Sequence, residues 1–256
     1  MKLATWNVNS VRARQGRLLP WLEAARPDVV CLQELKVTTE AFPFEALRAA
    51  GYFAAVHGQK TYNGVAILSL VEPEDVERGF GDEGDDTQAR LVSARVGDIQ
   101  VASAYVPNGA EVGSEKWAYK LAWLTRLRRW LDRRFAKTDP VALCGDFNVA
   151  PEARDVCDPP AWEGSVLTHP EVRRALQDVR AWGLVDAFRL HHEDPGFYSW
   201  WDYRMLAFPK NKGLRIDHID LSASLAGRCT AAAIDRNERK GKQPSDHVPV
   251  VVELDG

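Results

Sequence analysis

Asp146 and Asn148 stand two residues apart in "VALCGDFNVAP" (residues 141–151), with Phe147 between them. Val-Ala-Leu-Cys reads as a short buried strand, and Gly145 and Pro151 read as the turn that ends it. Strand alternation gives the carboxylate and the amide one direction and the phenyl ring the other. Polar groups at the rim of a hydrophobic sheet are costly to desolvate unless something pairs with them. That something is a set of backbone donors, a metal ion or a substrate.

Other strand-like runs end in the same manner. Asn7 and Asn9 close the first one, Glu34 ends "VVCLQE", and Tyr105 ends "VASAY" just before Pro107 and Asn108. Asp217 and His218 interrupt "LRIDHIDLS", and Asp246 and His247 lie in "QPSDHVPVVV", immediately before the last strand. Each alone also fits a turn cap or an Asx-turn. If the ends converge on one rim, four carboxylates and three amides share a cavity and repel one another unless a hard cation neutralises them. An oxygen-rich donor set without thiolates favours Mg²⁺, with Mn²⁺ able to substitute, over zinc. Such sites pair with substrate phosphates, and the chemistry they imply is metal-assisted phosphoryl transfer to water.

The elements that must position these residues are strands first. "KLATWNV", "DVVCLQEL", "FAAVHG", "GVAILSL", "RLVSARV", "DIQVASAYVP", "PVALCGDF", "RIDHIDLSA" and "PVVVEL" are rich in branched and aromatic residues and bounded by turn formers. Helix-like stretches fall between groups of strands. "ARQGRLLPWLEAAR" carries Pro20, expected to kink or split it. "TTEAFPFEALRAAG" has Pro43 near its start and Gly51 at its end. The clearest helix is "GSEKWAYKLAWLTRLRRWLDRRFAK", capped by Ser114, with Trp117, Leu121, Leu124, Leu127, Leu131 and Phe135 at three- and four-residue intervals. Lys120, Arg126, Arg129 and Arg133 are read as its solvated face. "HPEVRRALQDVRAWGLVDAFR" is a further helix, broken at Gly183. Strands outnumber helices, which predicts an α/β chain of two mixed β-sheets packed face to face with helices outside. No linker or repeat divides residues 1–256, so one domain is expected; the acidic "GFGDEGDDTQ" reads as a surface loop.

At 256 residues, with 45% hydrophobic and 27% charged residues, the chain is long enough for a large core, and its composition argues against extensive disorder. The nine Trp leave room for aromatic surfaces besides a core. No apolar run approaches the roughly 20 residues needed to cross a bilayer, and the N-terminus lacks signal-peptide architecture. The expectation is a cytoplasmic protein away from membranes. The four cysteines form no C-x-x-C pair and read as reduced thiols. A net charge of −3 argues against indiscriminate coating of nucleic acid. Local basic clusters at "RARQGR", "PKNKGLR" and "RNERKGK" leave room for a basic face.

"TWNVNSVRAR", "VVCLQELK", "YNGVAIL", "YVPNG", "CGDFNVAP", "WWDYR", "KGLRIDHIDLS" and "PSDHVPV" follow one another across the whole chain. Together they resemble the exonuclease III and abasic-site (AP) endonuclease family, within the endonuclease/exonuclease/phosphatase superfamily. "WNVN", "QE", "GDFN" and "SDH" belong to the superfamily at large; "WWDYR" and "KGLRIDHIDLS" resemble its DNA-repair branch. The resemblance implies a DNase I-like four-layer α/β sandwich. It also implies Mg²⁺-dependent hydrolysis of double-stranded DNA 5′ to abasic sites, with 3′→5′ exonuclease action and cleaning of damaged 3′ ends.

The same resemblance assigns roles. Glu34 matches the principal metal carboxylate, with Asn7, Asn9 and Asp246 near the ion. Asp146 matches the group that orients or deprotonates the attacking water, and Asn148 helps hold that water and the phosphate. Asp217 matches the carboxylate that orients His247, which binds a phosphate oxygen or serves as acid or base. Tyr105 and Asn108 match phosphate contacts, and Lys36 supports the metal carboxylate. Trp200, Leu214 and Ile216 fall where the family builds an apolar pocket for an extruded abasic sugar; an ordinary core role is the competing reading. Leu214 departs from relatives with a larger aromatic there, which leaves pocket tightness open. Arg12, Arg14 and Lys242 are candidate backbone-phosphate contacts.

Two other readings compete. One keeps the fold and chemistry but takes a phosphoinositide, a sphingolipid or nonspecific DNA; the "KGLRIDHIDLS" segment counts against it. The other is a non-catalytic binding module, against which the full set of site residues counts. A site complete in one chain predicts a monomer.

Overall fold

The structure, a computed structural model, describes residues 1–82, 84 and 87–255. One sheet is built from β1 (Lys2–Asn7), β2 (Val29–Gln33), β3 (Phe53–His57), β4 (Val65–Ser69), β11 (Cys229–Ile234) and β12 (Val250–Leu254). Its order is β11-β12-β1-β2-β4-β3. The other contains β5 (Glu74–Arg78), β6 (Leu91–Val96), β7 (Ile99–Tyr105), β8 (Val141–Asp146), β9 (Leu184–Asp186) and β10 (Asp217–Ser222), ordered β5-β6-β7-β8-β10-β9. Each sheet is mixed. β1 runs parallel to β2 and β7 parallel to β8, while the other pairs are antiparallel.

Side-chain alternation makes this a four-layer sandwich, as expected. Inward-facing Leu3, Cys31 and Ile67 of the first sheet meet Val101, Cys144 and Ile219 of the second. Outward-facing Trp6, Leu32 and Leu68 pack on α1 (Val11–Ala25) and α2 (Phe44–Ala49) through Leu18, Trp21 and Leu47. Outward-facing Ala102, Ala104 and Leu143 pack on α3 (Glu115–Arg134) and α4 (Pro170–Arg180). A short α5 (Ala223–Ala226) follows β10. All tryptophans except Trp162 and Trp200 are buried, so the indoles mainly fill these layers.

Several local expectations are corrected. α1 is one continuous helix, with Pro20 inside it. Residues 38–43 form turns, and α2 starts only after Pro43. The stretch after Gly183 becomes β9 rather than helix. On α3, Arg129 and Arg133 are exposed as expected, but Lys120 is completely buried. Within the acidic loop, Glu83, Asp85 and Asp86 lie outside the described residues. No helix among the described residues is long and apolar enough to cross a membrane.

Candidate active site

The register aligns Tyr105, Asp146 and Asp217 in one row across β7, β8 and β10. Row partners point to the same face, so sheet geometry alone brings the phenol and two carboxylates side by side. From the facing sheet, the ends of β1 and β2 supply Asn7 and Glu34. Beneath the rim, the Gln33 side chain donates to Ser103 Oγ (3.1 Å) and Thr5 Oγ1 (3.0 Å), tying the two sheets together. β8 can approach β7 so closely only because residue 145 is glycine. Its φ is +154°, and a Cβ there would lie 1.9 Å from the Ala104 carbonyl oxygen.

The strand-end residues form one connected cluster. Asn7 Nδ2 donates to Glu34 Oε1 and to Asp146 Oδ2, both at 2.9 Å. Tyr105 donates its hydroxyl to Glu34 Oε1 (2.8 Å), and Lys36 Nζ lies 2.9 Å from Glu34 Oε2. Asp146 also accepts from the Asn148 backbone N–H at 2.8 Å, while Asn148 Nδ2 donates to the Val106 carbonyl. Phe147 turns into the core against the His218 ring. His247 presents Nδ1 to Asp217 Oδ2 at 2.9 Å and Nε2 toward Asp146 Oδ2 at 3.7 Å. Asp246 accepts from Asn9 Nδ2 (2.9 Å) and from the Trp200 indole (3.0 Å). Asn9, Glu34, Lys36 and Asn148 all adopt left-handed backbone, with φ between 45° and 56°. Such conformations are uncommon for non-glycine residues and gather at functional sites.

The electrostatics are those of an anionic pocket. Burial pushes Asp146 up to about 7; Asp217 adds to the rise, and His247 opposes it only in part. Burial would lower His247, but Asp217 and Asp146 outweigh it and hold the imidazole up at about 10. It is therefore an imidazolium with both ring N–H groups directed at carboxylates. Burial and the neighbouring Glu34 raise Tyr105 well above the ordinary phenol value, so it is a neutral donor. Burial opposes ionisation of Glu34, but Lys36 and Asn7 outweigh it and hold the carboxyl low. Asp246 is likewise low despite burial, through His247 and the Trp200 bond.

This donor set fits a hard divalent cation. Oxygens of Glu34 and Asp146 lie within 4.8 Å of each other and of a His247 ring nitrogen. The His247 imidazolium and the Lys36 ammonium are two cations against the carboxylates of Glu34, Asp146, Asp217 and Asp246, and an added cation would relieve the burial that lifts Asp146. Asn7 lies beside Glu34 and Asp146. Asn9 and Asp246 stand one step away, with the Asn9 amide oxygen already accepting from Lys36 at 2.6 Å.

Among the predicted substrate contacts, Asn108 is exposed and donates to Asn148 Oδ1 (3.1 Å), joining the cluster. A cleft of about 600 Å³ opens beside it, bounded by Glu34, Asn63, Arg90, Tyr105 and Lys116. A larger groove of about 730 Å³, lined by Phe44, Tyr52, Phe53 and Val76, contains none of the site residues. Leu214 and Ile216 are buried with Ala150, Val156 and Leu167; Trp200, partly exposed against Trp162, presents surface at the edge of that cluster. Arg12 and Lys242 are exposed and make no bond to the carboxylate cluster. Arg14 donates to the Tyr203 hydroxyl (3.0 Å), which in turn accepts from Asn9.

Four participants escaped the sequence reading. Ser199 donates to Asp217 Oδ2 at 2.6 Å and accepts the backbone N–H groups of Ile216 and Asp217. Ser245 bridges the Asn7 carbonyl and the His247 amide. Arg90 stacks over the Tyr105 ring at 4.7 Å and donates to its carbonyl. Lys120 grips the Asn148 carbonyl. Ser245 lies inside "PSDHVPV", Ser199 directly precedes "WWDYR", and Lys120 stands at i+3 from Trp117 and i−4 from Leu124, on the apolar stripe. Arg90 carries no comparable motif.

A two-sheet sandwich with a polar, cation-ready rim of this design defines a metal-assisted phosphodiester hydrolase. Residues 4–247 match the Endonuclease/Exonuclease/phosphatase family. Exodeoxyribonuclease III of Haemophilus influenzae is 37% identical over 99% of this chain and 100% of its own length. The zebrafish (Danio rerio) DNA repair nuclease APEX1 is 33% identical over 99% of this chain and 82% of its own. An AP endonuclease structure from Archaeoglobus fulgidus superposes with a TM-score of 0.97 at 40% identity, both chains fully covered. A Neisseria 3′ phosphatase bound to a product DNA hairpin does so with a TM-score of 0.97 at 38% identity, again with full coverage of both. The chain belongs to the endonuclease/exonuclease/phosphatase family, in its exodeoxyribonuclease III and AP endonuclease branch.

Proposed function

We propose that this protein is a Mg²⁺-dependent DNA-repair nuclease, acting as a monomer on double-stranded DNA. It cleaves the backbone 5′ to abasic sites and trims damaged or recessed 3′ ends. The observation that carries the reading is the Asp146 carboxylate between the Asn148 amide and His247 Nε2, with Glu34 beside it.

In the reaction, water attacks phosphorus, the P–O3′ bond breaks, the leaving O3′ takes a proton from solvent to become the 3′-hydroxyl, and the water oxygen stays in the 5′-phosphate. Asp146 accepts the water proton; the Asn7 amide and the Asn148 N–H hold its carboxylate in place for that role. Asn148 and Asn108 hold the water and the phosphate. His247, fixed in orientation by Asp217 and charged, faces the non-bridging oxygen on which charge accumulates. Tyr105, a neutral donor bonded to Glu34 in the same row as Asp146, is a further phosphate contact. Glu34 and Asn7 would hold the cation, with Asp246 nearby, and when bound it supplies charge neutralisation at the phosphate. Trp200, beside Leu214 and Ile216, offers an apolar wall for a sugar that lacks its base.

The test is a labelled duplex with one abasic-site analogue, beside an undamaged duplex with a recessed 3′ end, each in Mg²⁺ or EDTA. A single cut 5′ to the lesion, lost in EDTA and in Asp146→Asn, is the expected result. Shortening of the undamaged strand alone would refute recognition of abasic sites. No cleavage of either would return the phosphatase reading.

A further inference from the structure

Three consecutive backbone carbonyls follow the Asp146 strand end, and each is held by a basic side chain from a different element. Lys120 Nζ on α3 donates to the Asn148 carbonyl at 2.7 Å. His218 Nε2 on β10 lies 2.9 Å from the Val149 carbonyl, and Arg173 Nε on α4 donates to the Ala150 carbonyl at 2.9 Å. Lys120 does more than the others. It is completely buried and also donates to the carbonyls of Asn108 (3.0 Å) and Val166 (2.7 Å). As an ammonium it has three N–H donors in tetrahedral arrangement and no acceptor, and the three carbonyls take all of them, against a burial that pulls its proton affinity down to about 7. Gly109 makes room for its stem, since a Cβ at that position would stand 3.0 Å from Lys120 Cδ.

Burying a lysine in a helix whose stripe is otherwise Trp and Leu is unfavourable unless its donors are satisfied. A Met or Leu would fill the same volume without that cost, yet would leave all three carbonyls without this donor, the buried Asn148 one included. The Asn148 backbone is left-handed (φ 49°) and its N–H is fixed locally by Asp146 Oδ1, whereas its carbonyl is fixed by Lys120 from a distant helix. The carbonyls gripped by Lys120 belong to Asn148 and Asn108, whose side chains bond each other at the rim.

We propose that Lys120 is a positioning residue for the nuclease reaction: by tying the Asn108 and Asn148 carbonyls to one buried point, it sets the two amides as a unit. It touches neither substrate nor water, and acts through Asn148. This rests on the function proposed above.

The experiment is a double-mutant cycle between Lys120→Met and Asn148→Ala in the full-length protein, with hydrogen exchange measured on peptides covering residues 145–151. With Asn148 present, Lys120→Met is expected to lower kcat on abasic duplex at least about 30-fold while KM moves less than about 3-fold. In the Asn148→Ala background the same change should cost less than about 3-fold, because the side chain it positions is gone. Equal losses in both backgrounds would reduce Lys120 to a general stability role and overturn the proposal. Should Lys120→Met not fold, Lys120→Arg carries the cycle. Its donors lie in one plane and cannot serve three carbonyls around a point, so a loss of kcat with the same non-additivity is expected. Exchange in residues 145–151 should accelerate at least about tenfold in either variant, with peptides from the middle of α3 unchanged. Unchanged exchange there would refute the clamp even if wild-type protein proves inactive on DNA. An inactive wild type with accelerated exchange would instead remove the nuclease reading and leave the clamp standing.

Discussion

Replacing Asp146 with Asn should abolish cleavage and at the same time stabilise the metal-free protein. In the cation's absence, burial lifts the Asp146 proton affinity from the ordinary 3.8 to about 7. Each tenfold in affinity corresponds to ~1.4 kcal/mol, so carrying the anion above pH 7 costs on the order of 4 kcal/mol. An Asn side chain recovers only part of this. Asp146 accepts from Asn7 Nδ2 and from the Asn148 N–H, and the new amide N–H₂ would face one of those donors, a mismatch costing about 1–3 kcal/mol. The net gain is then about 1–3 kcal/mol, or roughly 2–6 °C in Tm for a chain of this length. The sign with pH follows from linkage. Folded Asp146 keeps its proton up to about 7 and the unfolded chain only to 3.8. The wild type therefore loses stability as pH rises between those values, and the advantage of the variant should fall by about 2 kcal/mol from pH 8 to pH 5.5, which removes most or all of it. Thermal unfolding in EDTA at both pH values measures this. Mg²⁺ at a hundred times its Kd should add ~2.7 kcal/mol to wild type and much less to the variant, while the cleavage rate of the variant falls by ~10²–10⁴. A variant less stable than wild type in EDTA at pH 8 would refute the reasoning, because the local donors would then suffice for the anion without a cation.

Asp217→Asn removes the acceptor that orients His247 and keeps it charged, so kcat should fall by ~10²–10⁴ with little change in KM. Because Asp217 raises His247, the alkaline limb of the rate profile should also move to lower pH in that variant, as pH-rate measurements would show. Arg215 is buried between Asp155 and both oxygens of Asp186; Arg215→Met leaves Asp155 with the guanidinium of Arg189 alone and Asp186 with that of Arg180 alone and should cost about 3 kcal/mol in urea unfolding. Arg215 and its neighbours hold Asp155 and Asp186 low against burial, so wild-type stability from this network is present above the unfolded value and should be lost as pH falls below about 4. Trp200→Phe keeps the apolar wall but drops the indole bond to Asp246; a weaker Mg²⁺ response in titration is expected, and an unchanged one would leave Asp246 outside the cation's surroundings.

The central strands and the polar strand ends were legible because they obey local rules: apolar runs closed by turn formers, with a carboxylate or amide at the boundary. The strands that escaped, β5, β9 and β11, occupy three of the four sheet edges. "EDVER" is almost wholly exposed, "LVD" is three residues long, and "CTAAAI" is rich in alanine. An edge strand is paired on one side only and needs little apolar patterning, so its sequence carries a weak signal. Lys120 differs for another reason: a lysine's residue type signals a solvated face, while its spacing from Trp117 and Leu124 places it on the buried stripe. Ser199 bonds Asp217, 18 residues further along the chain, and no local rule reaches that far.

Where each site residue sits relative to its own strand also reports which way that strand runs. Asn7, Glu34, Tyr105 and Asp146 stand at or just past the ends of β1, β2, β7 and β8. Asp217 opens β10, and His247 precedes β12. For all six to meet at one rim, the first four strands must point toward it and the last two away. That requires β1 parallel to β2, β7 parallel to β8, and β10 and β12 antiparallel to their neighbours, which is the observed pairing. The same logic extends to strands with no recognised site residue. β4 and β6 run antiparallel to β2 and β7, so whatever precedes them must also lie at the rim. Asn63 and Arg90 hold those places, and both line the cleft beside Glu34 and Tyr105. Strand polarity, together with the antiparallel pairing of β6 to β7, thus points to Arg90 against the Tyr105 ring without any motif to mark it.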